Sequence, residues 1–125
     1  MIVSEIYSNG NITNYSYNSE NLLTSLESGG DVLTFNYDND GNLIEKFFDS
    51  QIIDSFEYDG KINPFILLGP ENYNKIIFEG KHNMTYRMDG ERNIVYEYNS
   101  EDLPIKSTYT DIGGFVQVRE YFYEN

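Results

Sequence analysis

The sequence predicts an all-β protein, and three observations support that prediction. Aromatic residues are abundant, with 12 Tyr and 8 Phe, while alanine, the best helix former, is absent. Aromatic side chains suit half-buried pleated surfaces, and the 15 Asn residues suit turns. Polar turn segments return about every ten residues, and one aromatic motif returns at about twice that interval. We therefore expect an antiparallel meander of about ten short strands, built from hairpin repeats of about 20 residues.

The clearest copy of the motif runs from Phe35 to Leu43. It consists of an aromatic residue, any residue, Tyr, then Asp or Asn, a short polar turn, and Leu. Weaker copies recur along the chain, and their second aromatic residues are Tyr17, Tyr37, Tyr58, Tyr98 and Tyr123. These residues are spaced by 20, 21, 40 and 25 positions. The spacing of 40 indicates two units, one of which has lost the motif.

Turn signals separate the predicted strands, because Gly, Asn and Asp tolerate the left-handed backbone that tight hairpins require. Turns are predicted at 8–11, 18–21, 28–31, 38–42, 49–51, 59–60, 80, 89–90 and 111–114. Strands are predicted at 32–37, 52–58, 75–79, 83–88, 93–98, 104–110 and 115–123, with earlier strands between the first turns. So many strands favour a twisted single sheet, with a two-sheet sandwich or a barrel as the alternative.

One segment interrupts the repeat. Asn63-Pro64 and Gly69-Pro70 restrict the backbone on either side of the apolar run 65–68, and proline cannot donate to a central ladder. The sequence therefore predicts a loop or short helical turn near residues 63–72, packed over one face or end of the sheet.

Length and charge narrow the class of protein. A chain of 125 residues is predicted to form a single domain, residues 1–125. The net charge of −13, with only eight Lys and Arg residues, argues against nucleic acid and anionic membrane surfaces as partners. There is no cysteine and no apolar run of 18 residues, so we expect no disulfide, thiolate site or transmembrane segment.

The sequence contains only weak candidates for a metal site or a catalytic site. Asn36, Asp38 and Asp40 resemble the start of an EF-hand calcium loop, but position twelve, which should be acidic, is Phe47. The single histidine, His82, is expected in an exposed loop, and pairs of acidic residues are expected by chance on so acidic a surface. We therefore predict no catalytic residue, no metal site and no cofactor, and hence no enzyme.

The tyrosines of the motif are the candidate binding residues. Tyr17, Tyr37, Tyr58 and Tyr98 occupy equivalent points of successive units, so several should share one face. Such a ladder either stabilises the sheet through cross-strand contacts or offers an aromatic platform to a glycan or protein partner.

The run 37–43 resembles the YD repeat of Rhs-type proteins and of short YD-repeat proteins of the Bacteroidetes, which are often secreted lipoproteins of unknown function. Residues 58–65 resemble a second feature of those short proteins, a YD-type strand that leads into an Asn-Pro-Phe break, and 96–103 matches the motif again. The resemblance implies hairpin repeats, an extracytoplasmic location and a binding or structural role. The enclosure of a toxin by the much longer Rhs shells does not transfer to about five motif copies.

Two functions follow as expectations. The first is a non-enzymatic binding or structural module of the bacterial cell envelope, although Met1 to Glu5 lacks the features of a signal peptide and the family's lipidated Cys is missing. The alternative is a small acidic immunity-type protein, cytoplasmic, that binds and neutralises a basic toxin. The oligomeric state is left open.

Overall fold

The computed structural model describes residues 1–65 and 81–124. Within them, ten strands form one antiparallel sheet whose strand order equals the chain order, which confirms the predicted all-β, single-sheet meander. The chain divides into two compact units, Met1–Asp54 and Ser55–Asn125.

The first unit contains five complete strands and the start of the sixth. They are β1 (Ser4–Ile6), β2 (Ile12–Tyr17), β3 (Leu23–Ser28), β4 (Asp31–Tyr37) and β5 (Leu43–Phe48). Each strand pairs with the next, and one register row joins Tyr15, Leu26, Leu33 and Phe48 across four strands. Apolar side chains that stand opposite one another on a single face explain why the predicted alternation forms strands here.

From residue 18 onward, two kinds of turn alternate in the first unit, and together they set its period. The loops at 18–22 and 38–42 have the hydrogen-bond pattern of a type I turn followed by one left-handed residue. The loops at Gly29-Gly30 and Asp49-Ser50 have two residues, both with positive φ, as type I′ requires. Because each kind of turn recurs after 20 residues, one unit of the sequence repeat corresponds to one turn of each kind.

The second unit continues the meander with the remainder of β6 (Gln51–Ile62), β7 (His82–Arg87), β8 (Arg92–Tyr98), β9 (Pro104–Thr110) and β10 (Val116–Glu120). β10 is shorter than the predicted strand 115–123. The backbone N–H of Tyr121 nevertheless still donates to the carbonyl of Ile105, at 3.0 Å.

The predicted turn at 59–60 is wrong, since β6 passes through these residues and ends at Ile62. Gly60 has a φ of +78°, and the register between β6 and β7 shifts between Tyr58 and Ile62. The positive φ is accommodated as a bulge in a continuous strand, a conformation that glycine adopts without a steric penalty. The Asp59 side chain still accepts from the Lys61 N–H at 2.8 Å, as it would in a turn.

The core of each unit is thin. Among the described residues, Leu43 and Phe56 are the buried aliphatic and aromatic side chains, at 7% and 3% exposure. Asn42, Asn83 and Pro104 are the largest side chains with less than 2% exposure. Most other strand residues are half-buried, so stability depends on hydrogen-bonded polar groups as well as on apolar area.

The interruption after β6 is only partly described. Asn63 and Pro64 are buried, and Pro64 and Phe65 form a short 3₁₀ segment, as the predicted helical turn requires at its start. The rest of the predicted segment 63–72, the strand 75–79 and the turn at 80 lie outside the described residues. His82 is not an exposed loop residue, because it is half-buried in β7 and pairs in register with Ile62.

Candidate binding surface

Three turns that follow motif tyrosines share one hydrogen-bond arrangement. Each begins with Asn18, Asp38 or Asn99, and the side-chain oxygen of that residue accepts from the backbone N–H groups two and four residues later. These six distances lie between 2.8 and 3.0 Å. The Asp or Asn of the motif is therefore the cap of its own turn, which is the reason that the motif requires this residue type.

The left-handed position of the turn is Asn21, Gly41 or Asp102, with φ values of +64°, +82° and +60°. Asn and Asp are the side chains that best tolerate this conformation after Gly. The repeat can therefore lose its glycine and keep its turn, which explains why the copies look degenerate in sequence.

The residue at the end of the turn differs between the copies of the motif. Leu22 and Leu103 are the fourth residues after their caps, whereas the fourth residue after Asp38 is Asn42. Asn42 is 1% exposed, and its side-chain amide donates to the second carboxylate oxygen of Asp38 at 2.8 Å. An Asn cap thus precedes an apolar residue, while the Asp38 cap precedes a buried amide.

The second aromatic residue of the motif lies at a bulge. The register shifts immediately before Tyr17, Tyr37, Tyr58 and Tyr98. A bulge raises the local twist and redirects the side chain that follows it. Four shifts at equivalent positions show that the sequence repeat is also a structural repeat.

Most of the predicted site residues have their hydroxyl groups committed to the protein itself. Tyr17 donates to the carbonyl of Ile2 at 2.7 Å, and Tyr37 donates to the carbonyl of Leu23 at 2.8 Å. Tyr123 does the same with Pro104 at 2.7 Å. Leu23 and Pro104 are each the residue after the preceding turn of this type, so the hydroxyl ties one hairpin to the previous one.

Tyr98 belongs to a polar cluster in the second unit. Its hydroxyl donates to the carboxylate of Asp59, and the amide of Asn83 donates to the same hydroxyl at 3.3 Å. Asn83, which is 2% exposed, also donates to the carbonyls of Lys61 and Ile62. The Lys61 ammonium lies 4.5 Å from the centre of the Tyr98 ring and pairs with the exposed Asp102. The cluster joins β6, β7 and β8 at the bulge and so fixes their register.

The raised pKa values of Tyr37 and of Tyr15 and Tyr96, the first aromatic residues of two motif copies, are consistent with this structural role. Burial raises the pKa of Tyr37 and, more strongly, that of Tyr96, where the charges of Tyr121 and Asp59 add to the effect. The hydrogen bond to Glu5 raises the pKa of the half-buried Tyr15 to about 12. These tyrosines are therefore neutral hydrogen-bond donors at neutral pH.

The structure places the four candidate tyrosines in pairs. Tyr17 and Tyr37 lie at the ends of β2 and β4, which flank β3, and Tyr58 and Tyr98 lie on β6 and β8, which flank β7. The two strands of each pair lie two strand spacings apart, about 9.5 Å. All four rings are half-buried. Their use as a ligand platform stays a prediction.

The sequence reasoning predicted the last strand but missed the exposure of its apolar residues. All five residues of β10 are exposed, and Val116 and Val118 retain 57% and 54% of their accessible area. Val118 lies in one register row with Thr108 and Val95, and Val95 is 69% exposed. The alternation in Val116-Gln117-Val118 was visible in the sequence. Its exposure follows from an uncovered face of the sheet, which Val95 on the interior strand β8 shares and which the sequence did not reveal.

A charged row runs beside the apolar one. Glu97, Lys106 and Glu120 are paired in register across β8, β9 and β10. The Lys106 ammonium donates to Glu97 at 2.8 Å, which is the main reason that its pKa is raised. Within the described part of the chain, the Glu120 side chain makes no hydrogen bond or ion pair, although its charge also helps to raise the pKa of Lys106. The row therefore ends on an exposed carboxylate.

Two kinds of feature are absent from residues 1–65 and 81–124. This part of the chain holds no group of three or more His, Cys, Asp or Glu residues arranged to bind a metal ion. It also contains no helix that could cross a bilayer. Both oxygens of the Asp38 carboxylate accept N–H groups of its own loop.

In comparison with known proteins, no family model matches the chain, and no curated protein sequence matches it significantly. The resemblance to YD repeats therefore remains a prediction. Its support is the repetition of turns, bulges and tyrosine contacts within the chain.

Proposed function

We propose that this chain is a non-enzymatic binding module, built from YD-type hairpin repeats, that acts at the bacterial cell envelope. The observation that supports the proposal is that motif residues stabilise the fold, whereas outward strand residues are exposed. Motif residues cap their own turns and tie neighbouring hairpins together, as Asp38 and Tyr37 do. Outward strand residues such as Val95 and Val118 are exposed. A rigid scaffold with exposed apolar strand positions suits recognition of another macromolecule.

The envelope location is drawn from the resemblance and is tested separately from binding. We would measure the intact mass and the subcellular fraction of the native protein from its source cells. A membrane-fraction protein whose mass includes a lipid-modified N-terminal segment supports the envelope. A soluble cytoplasmic protein that begins at Met1 contradicts it.

Binding itself is tested by photo-crosslinking from single positions in the same cells. A crosslinking side chain at Val95 should trap a defined partner, whereas one at Asn39, in an exposed turn, should trap much less. Equal yields from the strand and the turn, or none from either, would contradict the proposed binding function.

The charge of the molecule favours a second candidate, an acidic immunity-type protein that covers a basic toxin. The supporting observation is the net charge of −13 together with exposed carboxylates such as Glu97 and Glu120. Charge complementarity of this kind speeds association and makes it sensitive to salt. Tight binding of one basic toxin by cytoplasmic protein would favour this candidate over the envelope module.

A further inference from the structure

The inference concerns the edge of β10, and it begins with the backbone. The N–H of Asp111 donates to the carbonyl of Phe115, and the N–H of Tyr121 donates to the carbonyl of Ile105. Both belong to the register that pairs β10 with β9. Hydrogen-bonded and non-hydrogen-bonded pairs alternate in an antiparallel ladder. The N–H and C=O groups of Val116, Val118 and Glu120 are therefore directed away from β9.

This edge has few of the usual protections against strand pairing. Protected edges are very short, carry charged side chains or Pro, contain a bulge, or are covered. β1, at the other end of the strand order, has only three residues. β10 has five, contains no Pro, shows no register shift against β9, and is exposed at every position; its charged residues, Arg119 and Glu120, lie at one end and leave Val116 to Val118 without a charge.

The side chains beside the edge specify what could pair with it. The register rows of Val116, Val118 and Glu120 have β10 as their last described strand. The charged row consists of Glu97, Lys106 and Glu120. An added strand continues these rows with the best cross-strand pairs if it places a basic residue opposite Glu120 and β-branched residues opposite the two valines. In the antiparallel direction the preferred order is Lys or Arg, any residue, Val or Ile, any residue, Val or Ile.

A second copy of the chain fits this edge poorly. Antiparallel pairing of β10 with itself about Val118 would set Glu120 opposite Val116 of the other copy, so the carboxylate would gain no cation. Each copy also carries a net charge of −13, which opposes self-association. A basic partner meets both the exposed carboxylate and the overall charge.

We propose that the free edge of β10 binds an extended, basic segment of a partner protein as an added antiparallel strand. Main-chain hydrogen bonds to Val116, Val118 and Glu120 provide affinity, and the alternating side chains provide specificity, as in other cases of strand addition. The inference deepens the proposed binding function and rests on it.

The test uses the full chain and a labelled peptide whose central residues are lysine, threonine, valine, threonine and valine, in that order. The matched control peptide has the same composition with its lysine in the centre, opposite Val118. Fluorescence anisotropy should show binding of the first peptide, at least tenfold weaker binding of the control, and weakening by salt. Failure of the first peptide to bind, or equal binding of both, would overturn the proposal.

Two variants locate the site. Val118→Pro removes an N–H that β9 does not use, so the thermal unfolding curve should be retained while affinity falls about tenfold. Glu120→Lys should weaken binding of the lysine peptide and strengthen binding of a peptide that carries glutamate at that position. Unchanged affinity in a folded Val118→Pro variant, together with no reversal in Glu120→Lys, would remove the site from this edge.

Two further outcomes separate this inference from other readings. A concentration-dependent dimer of the free protein that is lost in Val118→Pro would assign the edge to a second copy and overturn the basic partner. If the unsubstituted chain fails to bind the first peptide while photo-crosslinks from Val95 persist in Val118→Pro, the proposed binding function stands and only the role of the edge is overturned.

Discussion

Replacement of Asp38 by alanine should test whether the motif acid is a turn cap. The carboxylate accepts two backbone N–H groups, from Asp40 and Asn42, and the side-chain amide of Asn42, at 2.8 to 2.9 Å. A hydrogen bond to a charged group contributes about 1.5–3 kcal/mol. The N–H of Asp40 lies in an exposed loop where water can replace the carboxylate, so the two bonds from buried Asn42 dominate. We expect a loss of about 3 kcal/mol in the free energy of unfolding.

The assay is thermal and urea-induced unfolding followed by circular dichroism. A loss of about 3 kcal/mol corresponds to a fall of about 12 °C in Tm for a chain of this size. Asp40→Ala is the matched control, since its side chain is exposed and bonds to no described residue, and it should change stability by less than about 0.5 kcal/mol. Equal effects of the two substitutions would refute the capping role.

A double substitution sharpens the same test. Asn42→Leu alone places an apolar side chain against the charged cap, whereas Asp38→Asn with Asn42→Leu recreates the Asn-cap and Leu combination of the turns that begin at Asn18 and Asn99. The double variant should therefore be more stable than Asn42→Leu. If the two effects simply add, the turns do not tolerate exchange between repeats.

Three other predictions concern stability. Tyr37→Phe should lower the free energy of unfolding by about 1 kcal/mol, because it removes the hydroxyl bond to the carbonyl of Leu23, and Tyr37→Ala should lower it by about 3 kcal/mol. An unchanged melting curve for Tyr37→Ala would instead make Tyr37 an exposed binding candidate. Millimolar calcium should not raise Tm, because the Asp38 carboxylate already accepts N–H groups of its own loop and Phe47 cannot act as the acidic ligand that closes a calcium loop. A clear rise in Tm would show that the loop does bind calcium. Burial raises the pKa of Tyr96 above its usual 10.0, so its contribution to stability is complete below pH 10 and lost as the pH rises through the higher folded value. Urea titrations from pH 9 upward should show this loss, and Tyr96→Phe should reduce it; an identical slope in the variant would show that Tyr96 is not its source.

The sequence was a good guide where the fold depends on local chemistry. Asp38 caps a turn because its side chain reaches backbone groups two and four residues away, and the alternation around Phe35 needs no distant partner to be recognised. The four bulges could not be predicted, because a register shift depends on which strand pairs with which. The turn predicted at Gly60 failed for the same reason, since a positive φ serves a bulge as well as it serves a loop.

The amino-acid sequence by itself determined the all-β class, the hairpin period and most of the turns, because each of these is encoded within a window of a few residues. Only the tertiary structure decided what the tyrosines do and where the exposed surface lies. The hydroxyl of Tyr37 finds its acceptor 14 residues away, across a strand pair. Val118 is exposed because its face of the sheet is uncovered, as the exposure of Val95 on the interior strand β8 also shows, although its sequence resembles that of a buried strand. Both facts depend on long-range contacts, which a local pattern does not contain.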